Sequence, residues 1–414
     1  MIELLFPRAH ARYTSLPVLG GSLEGLCVWL HARGYPRDAI GRRMSAAESL
    51  ACALRQRGVR ALRDLTAPAL RAFAPPPVPF HSPAQGALVR SLTQYLEERG
   101  ELTPTRSTAT QRRVADYRRY LDRVRGLCPG TITMHAVTIT KFLSFLDYDA
   151  RPLQLRELRV ADIETFVTKS GERVSRSRMG QIAGTLRTFL RFLAATDEGP
   201  PGLDAHVESP RVWRAERLPR ALPWETVRTF LRAIDRSTPK GRRDFAMFLL
   251  VATYGLRSSE VRALDLDDIA WRDRQILVPR PKVGTPLLLP LTDEVAAALL
   301  DYLRSGRPAS VHRRLFLRVE FPLGPLGLGA IGAAFHTWAQ RAAIRLPDRC
   351  GPHSMRHALA LHLLRQGTAL KTIGDLLGHR SAEATGVYLR LDVDDLRDVA
   401  LPLPAATAPE EVLP

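Results

Sequence analysis

Lysine is nearly absent from this 414-residue chain: of 60 basic residues five are lysines, Lys141, Lys169, Lys240, Lys282 and Lys371, and the rest are arginines. Cysteine is scarce as well. Cys27, Cys52, Cys128 and Cys350 are far apart and form no C-x-x-C pair. That spacing argues against a zinc ribbon and against a disulfide framework, and points to a reducing compartment. His10, His31, His81, His135, His206, His312, His336 and His362 show no metal-ligand spacing. His353 and His357 are four apart but lack a third ligand or an H-E-x-x-H pattern. No P-loop is present, so neither a metal nor a nucleotide cofactor is expected. No apolar run is long enough for a membrane span, and Met1 to Phe6 carries an early acid in place of a signal-peptide core. A cytoplasmic, nucleoid-associated bacterial protein is the expectation.

What the chain does have is positive charge. The formal net charge is +18, while 45% of residues are hydrophobic. A globular chain of this length forms two to four domains, and a polyanion such as nucleic acid is the default partner for this charge. Arginine supplies nearly all of it, as a GC-rich genome alone would favour, so not every arginine reads as a phosphate contact.

Two Pro/Gly-rich breaks divide the chain. Pro75-Pro76-Pro77 with Pro79 interrupts the first helical region; Gly199-Pro200-Pro201-Gly202 with Pro210, Pro219 and Pro223 forms the second. The expected division is an extra helical domain at 1–102, a second at 108–197, a linker at 198–222, a third domain at 223–391 and a tail at 392–414. The first two regions share a pattern. Gly34, Ile40, Leu50 and Leu54 recur 92 residues later as Gly126, Ile132, Phe142 and Leu146. Leu70 and Phe73 recur after 93 as Ile163 and Phe166, and Leu92, Tyr95 and Leu96 after 94 as Leu186, Phe189 and Leu190. Two readings fit: a duplicated domain, or two amphipathic bundles that happen to align. The second region is the more basic, with Arg112, Arg113, Arg118, Arg119, Arg176 and Arg178 as candidate DNA contacts.

From Trp224 helical periodicity resumes. Gln275–Pro279 and Thr285–Leu291 read as a hairpin, and helices are expected at 293–304, 329–343, 354–366 and 368–377. Here four polar sets stand in order: Tyr254-Gly255-Leu256-Arg257-Ser258-Ser259-Glu260, then His353-Ser354-Met355-Arg356-His357, then Leu377-Gly378-His379, then Tyr388 nine positions on. Arginines can neutralise charge building on phosphorus, histidines can move protons, and an isolated tyrosine can attack. Tyr254, locked into the Arg257 set, reads as structural. The order Arg…His-x-x-Arg…His…Tyr resembles the tyrosine recombinase (phage integrase) family over 108–392, most strongly over 246–390. Lys282 falls in register with that family's hairpin lysine, although Pro281 and Val283 stand where glycines are common.

The resemblance implies a mainly α fold: N-terminal helical bundles of the SAM-like core-binding type, then a mostly helical catalytic domain with a small β-sheet. It implies two transesterifications through a 3′-phosphotyrosine at Tyr388, without cofactor. Arg257 and Arg356 would hold the phosphate, His353 would accept the tyrosine proton, Lys282 would protonate the leaving oxygen and His379 would donate to the phosphate, with Glu260 and His357 in support. The implied partner is double-stranded DNA with inverted-repeat core sites, bound by a tetramer across two sites, with sister recombinases an option. The segment after Tyr388 would dock on a neighbouring subunit. The alternatives are a type IB topoisomerase-like nicking-closing enzyme and a catalytically silent DNA-binding protein on the same fold.

Overall fold

The computed structural model describes residues 1–75, 84–105, 107–211, 221–280, 286–348, 350–379 and 381–389, without the side chains of residues 382 and 384. Lys282, the 392–414 tail and part of the 198–222 linker lie outside these residues. The chain divides into two compact units, one of residues 61–70 and 96–217, the other of residues 1–60, 71–95 and 218–414.

The N-terminal hundred residues are helical: α1 (Gly20–Ala32), α2 (Arg37–Met44), α3 (Ala47–Gln56), α4 (Ala67–Arg71) and α5 (Ala84–Arg99). The following region runs α6 (Ala109–Arg123), α7 (Pro129–Phe145), α8 (Val160–Gly171) and α9 (Arg176–Ala195). The two runs correspond element by element, α2 and α3 together matching α7. Gly34 and Gly126 both adopt positive φ, at 76° and 58°, and so each ends the helix before it. Ile40 and Ile132, Leu50 and Phe142, Leu54 and Leu146, Leu70 and Ile163, Phe73 and Phe166, Leu92 and Leu186, and Tyr95 and Phe189 are buried in both.

Helix α6 starts on a reciprocal cap. The Thr108 hydroxyl accepts from the Gln111 backbone N–H at 3.2 Å, and Gln111 Oε1 accepts from the Thr108 N–H at 3.1 Å. The core beneath is aromatic: Tyr117 meets Phe189 edge-on at 5.1 Å, and Phe142 meets Phe166 at 5.0 Å. Leu203 and Val207, placed by sequence in the linker, are buried in this core, and Arg187 donates to the Val207 carbonyl at 2.9 Å. The packed domain therefore extends past residue 197, because two apolar side chains there have a core to enter.

In the other unit, α10 (Trp224–Arg232) packs against α11 (Pro239–Tyr254) through Val227 and Phe230. Thr238 caps α11 by accepting from the Gly241 N–H at 3.0 Å. Asp244 is fully buried; it accepts from Arg243 at 2.7 Å and from the Trp338 indole N–H at 2.9 Å. The trio ties α11 to α14 (Ala330–Arg341). After α12 (Ser258–Ala263) comes a three-stranded antiparallel sheet of β1 (Ile269–Ala270), β2 (Gln275–Val278) and β3 (Leu287–Pro290), with Ile276 opposite Leu289. The Tyr254 hydroxyl donates to Pro290 O at 2.6 Å and accepts from the Thr292 N–H at 3.2 Å, which anchors α11 to β3. Helices α13 (Asp293–Ser305), α15 (Pro352–Arg365), α16 (Leu370–Leu377) and α17 (Ala382–Gly386) complete the unit.

Phe142 is fully buried among these rings. Phe142→Ala should cost about 3–5 kcal/mol. Hydrogen exchange checks it: α7 and α9 amides should lose protection while α11 amides keep theirs.

Candidate active site

The helix α11 ends where the chemistry begins. Gly255 takes φ +63°, and a Cβ there would lie 2.4 Å from Leu377 Cδ2, so both backbone and packing demand glycine. The turn delivers Arg257 to the N-cap of α12. Glu260, itself buried, accepts from the Arg257 N–H and from its guanidinium, each at 2.8 Å. The carboxylate thereby fixes both the helix start and the side chain.

Helix α15 opens with Pro352 and carries His353, Arg356 and His357 in its first two turns. Arg356 is 1% exposed and donates to two carbonyls, Gly255 O and Leu377 O. Burial, then nearby Arg257, lowers its pKa to about 10, so it stays charged at neutral pH. His353 is exposed on the same helix, and burial of part of its ring, then Arg356 and Arg257, lower its pKa. Glu260 pulls the other way, more weakly.

Gly378 ends α16 at φ +61° and leaves His379 on the turn. His379 Nδ1 lies 2.8 Å from the Thr385 hydroxyl. When that hydroxyl donates, the ring proton sits on Nε2, where it can reach a phosphate. Tyr388 lies just past α17, on a turn in which its N–H donates to Thr385 O at 3.0 Å. Gly386 is the last residue of that helix. Its ring is 1% exposed, packed with Ala360, Ile373 and Leu377. Burial raises its pKa and the charges of Arg356 and Arg257 oppose the rise.

The nucleophile candidate has its hydrogen bond with His357: Nδ1 and the Tyr388 hydroxyl are 3.0 Å apart. His353 stands edge-on behind His357, with ring centroids 4.4 Å apart. Burial, then neighbouring His353 and Arg356, push the His357 pKa down to about 4; burial, then Arg356 and Arg257, do the same to His379. Arg257, Glu260, His353, Arg356, His357, His379 and Tyr388 are thus gathered at one place.

Two further residues belong with them. Arg280, 8% exposed, lies 3.6 Å from Glu260 and directly over Gly378, where a Cβ would come within 1.5 Å of its Nη1. Its Nε and Nη2 make no hydrogen bond among the described residues. Burial lowers its pKa against the pull of Glu260. Thr385, which orients His379, is the other. Neither stood out in the sequence: Arg280 sits between two prolines and Thr385 in a run of small residues.

The basic residues of the bundle are not alike. Arg113 departs from the expected DNA contact: it turns inward, and both its terminal nitrogens bond Glu198. Arg119 pairs with Asp116 in solvent, Arg112 donates to Ser107 O at 2.6 Å, and Arg178 donates to Gln181 at 2.9 Å. Arg118 and Arg176 are exposed. A groove of about 590 Å³ is lined by Lys141, Lys169, Arg173 and Arg178 with Phe145 and Phe166. Two of the chain's five lysines meet there.

The phage integrase family model matches residues 220–394, and the model of the phage integrase N-terminal SAM-like domain matches 114–197. The Sinorhizobium fredii protein y4rA, provisionally named an integrase/recombinase, is 35% identical over 385 residues, 91% of this chain and 92% of its own length. The chain belongs to the phage integrase family. Its recombinase relatives include the tyrosine recombinase XerD of Listeria monocytogenes, 28% identical over 69% of this chain and 96% of that protein. The crystal structure of XerH site-specific recombinase bound to a palindromic difH substrate superposes with a TM-score of 0.52 at 17% identity, covering 82% of this chain and 96% of that one. That of a lambda integrase dimer bound to a core site gives 0.51 at 17%, over 78% and 90%. At such identities the likeness speaks for the fold, mostly helical with a small antiparallel sheet. This recombinase has no helix long and apolar enough to cross a membrane among its described residues.

The depressed histidines bear on stability. Between pH 6.5 and about 4 the unfolded chain binds protons that folded His357 and His379 refuse. Their contribution is full above pH 6.5 and drains as pH falls toward 4. The melting temperature should drop across that window, and His379→Gln should make the drop smaller.

Proposed function

We propose that this tyrosine recombinase cuts and rejoins duplex DNA at specific sites through a 3′-phosphotyrosine on Tyr388, in the integration, excision or transposition of a mobile element. One observation carries the reading: two arginines and two histidines lie about a single buried tyrosine, with a third histidine packed on one of them. In the forward step Tyr388 Oη bonds to phosphorus, the P–O5′ bond breaks, the phenolic proton passes to a histidine and the 5′ oxygen takes a proton. The 5′ hydroxyl of the partner strand then attacks in reverse. Arg257 and Arg356 hold the non-bridging oxygens, with Arg280 adding charge beside them, and His379 donates to the phosphate. Lys282, by family resemblance, protonates O5′. The ester conserves the bond energy, so no nucleotide is consumed.

The DNA partner is read as two inverted-repeat core sites held by four protomers in the bacterial cytoplasm. The groove lined by Lys141, Lys169, Arg173 and Arg178 supports the 108–197 domain as the face on the core site. Residues 1–102 are read as a second copy of that domain, supported by the matched helices and buried positions. Lys141 and Arg178 correspond to Ser49 and Ala84 in the first copy, a loss of charge that favours contact with a neighbouring protomer over DNA.

Two experiments test this. On a nicked suicide duplex, Arg257→Ala should slow covalent-complex formation about 100–1000-fold, the range for one lost transition-state donor, and Tyr388→Phe should bind yet form none, with wild-type activity unchanged in EDTA. A labelled peptide containing another tyrosine would remove Tyr388 from the reading. Separately, the pair Lys141→Ser with Arg178→Ala should reduce the salt slope of core-site binding by about 2. An unchanged slope would place the DNA elsewhere on the bundle.

A further inference from the structure

The family resemblance would give the tyrosine proton to His353, but His353 is not the histidine bonded to the hydroxyl. His357 Nδ1 is, at 3.0 Å. The two rings His353 and His357 meet edge-on, and His357 packs in turn on Tyr388. His379, the other ring beside Tyr388, lies 6.2 Å from it centre to centre and has its Nδ1 engaged by Thr385. The groups facing His357 are therefore His353, Arg356, His379 and Tyr388. None is a carboxylate, so nothing there holds the ring protonated, and the neutral imidazole with its proton on Nε2 has a lone pair on Nδ1 for the tyrosine hydroxyl.

We propose that His357 is the general base of strand cleavage: its Nδ1 takes the Tyr388 proton as Oη bonds to phosphorus. The leaving O5′ carries away the electrons of the broken P–O bond and receives a proton from a separate donor. His357 becomes an imidazolium, already in contact with His353, whose exposed face opens a way to solvent. In the religation step the same imidazolium, or its proton returned from solvent, restores the phenol. The assignment rests on Tyr388 being the nucleophile. A base in contact with Oη also answers a need of the site. Tyr388 is buried with its ionisation opposed, so an unassisted phenolate is scarce at neutral pH.

A hydrogen bond that merely holds the tyrosine still must be told apart from one that takes its proton. His357→Asn keeps an acceptor oxygen near the Nδ1 position but cannot accept a proton. The assay is single-turnover covalent-complex formation on the nicked duplex across pH 4–9, beside gel-shift binding. His357→Asn should bind the duplex like wild type, cleave at least ~100-fold more slowly, and lose the acid limb of the wild-type profile. Placing 3,5-difluorotyrosine at position 388, whose hydroxyl ionises more readily, should restore much of that rate. In the chain with native His357, the same substitution should leave the acid limb where it was, because that limb belongs to the histidine. This last measurement stands even if His357→Asn fails to fold. Cleavage by His357→Asn within 3-fold of wild type with its acid limb intact, or a limb that moves with the tyrosine, overturns the proposal. Tyr388→Phe is run alongside: covalent complex from it would remove the nucleophile itself, whereas a dead Tyr388→Phe with a fully active His357→Asn would remove the base alone.

Discussion

Arg356 is the residue around which the site is built. Its guanidinium has almost no access to solvent, yet it stays charged and donates to Gly255 O at the end of α11 and to Leu377 O at the end of α16. Those carbonyls are helix C-terminal groups left without intrahelical partners, where negative partial charge accumulates. One cation thereby joins two helix ends, and the residues that follow each end, Arg257 and His379, are set by that junction. Losing it would leave two carbonyls unsatisfied in the interior, a cost on the order of 1–3 kcal/mol each. Gly255 and Gly378 serve the same junction: each ends its helix in the left-handed region, and each leaves room that a methyl group would fill with Leu377 or Arg280.

Charge is organised around a single carboxylate. Glu260 is shared by Arg257 and Arg280, so three guanidinium groups, with Arg356, face one acid among the described residues. The excess is about two positive charges in a partly desolvated place. Such an excess destabilises the free protein and is relieved by an incoming phosphate diester. Burial, reinforced by this positive charge, keeps His357 and His379 neutral, so proton acceptors persist among the cations. Stability and chemistry draw on one electrostatic term with opposite signs.

Much of this was legible in the sequence because the relevant constraints are local. A glycine before Arg257 and another before His379 mark helix ends, and Tyr388 keeps its spacing from that second turn. The α15 and α16 spans follow from apolar periodicity and are off by a residue or two at their ends. What was illegible depends on partners distant in the chain. Arg113 looks like its neighbours on an arginine-rich helix, and only the approach of Glu198, 85 residues on, turns it inward. Arg280 has the sequence context of a linker and becomes a site residue because α16 ends beneath it. His357, followed by Ala358 and Leu359, reads as a core histidine; its contact with Tyr388 spans 31 residues and two helices.

The histidine environment also links DNA binding to reactivity. In the free protein burial holds both rings low, helped by His353 and Arg356 at His357 and by Arg356, Arg257 and Arg280 at His379, so each is a weak base. On the proposed reading, a phosphate held between Arg257 and Arg356 would bring negative charge close to both rings, offset the arginines and move the histidine pKa values upward. A higher pKa makes His357 a stronger acceptor for the tyrosine proton, while the same arginines still favour the phenolate that forms. If His357 is the base proposed above, the substrate improves the base that acts on it, and the tyrosine stays bonded and buried until a phosphate arrives. In such a site reactivity is conditional on occupancy without any large movement of the chain, because the groups that bind the phosphate and the groups that set the proton affinities are the same.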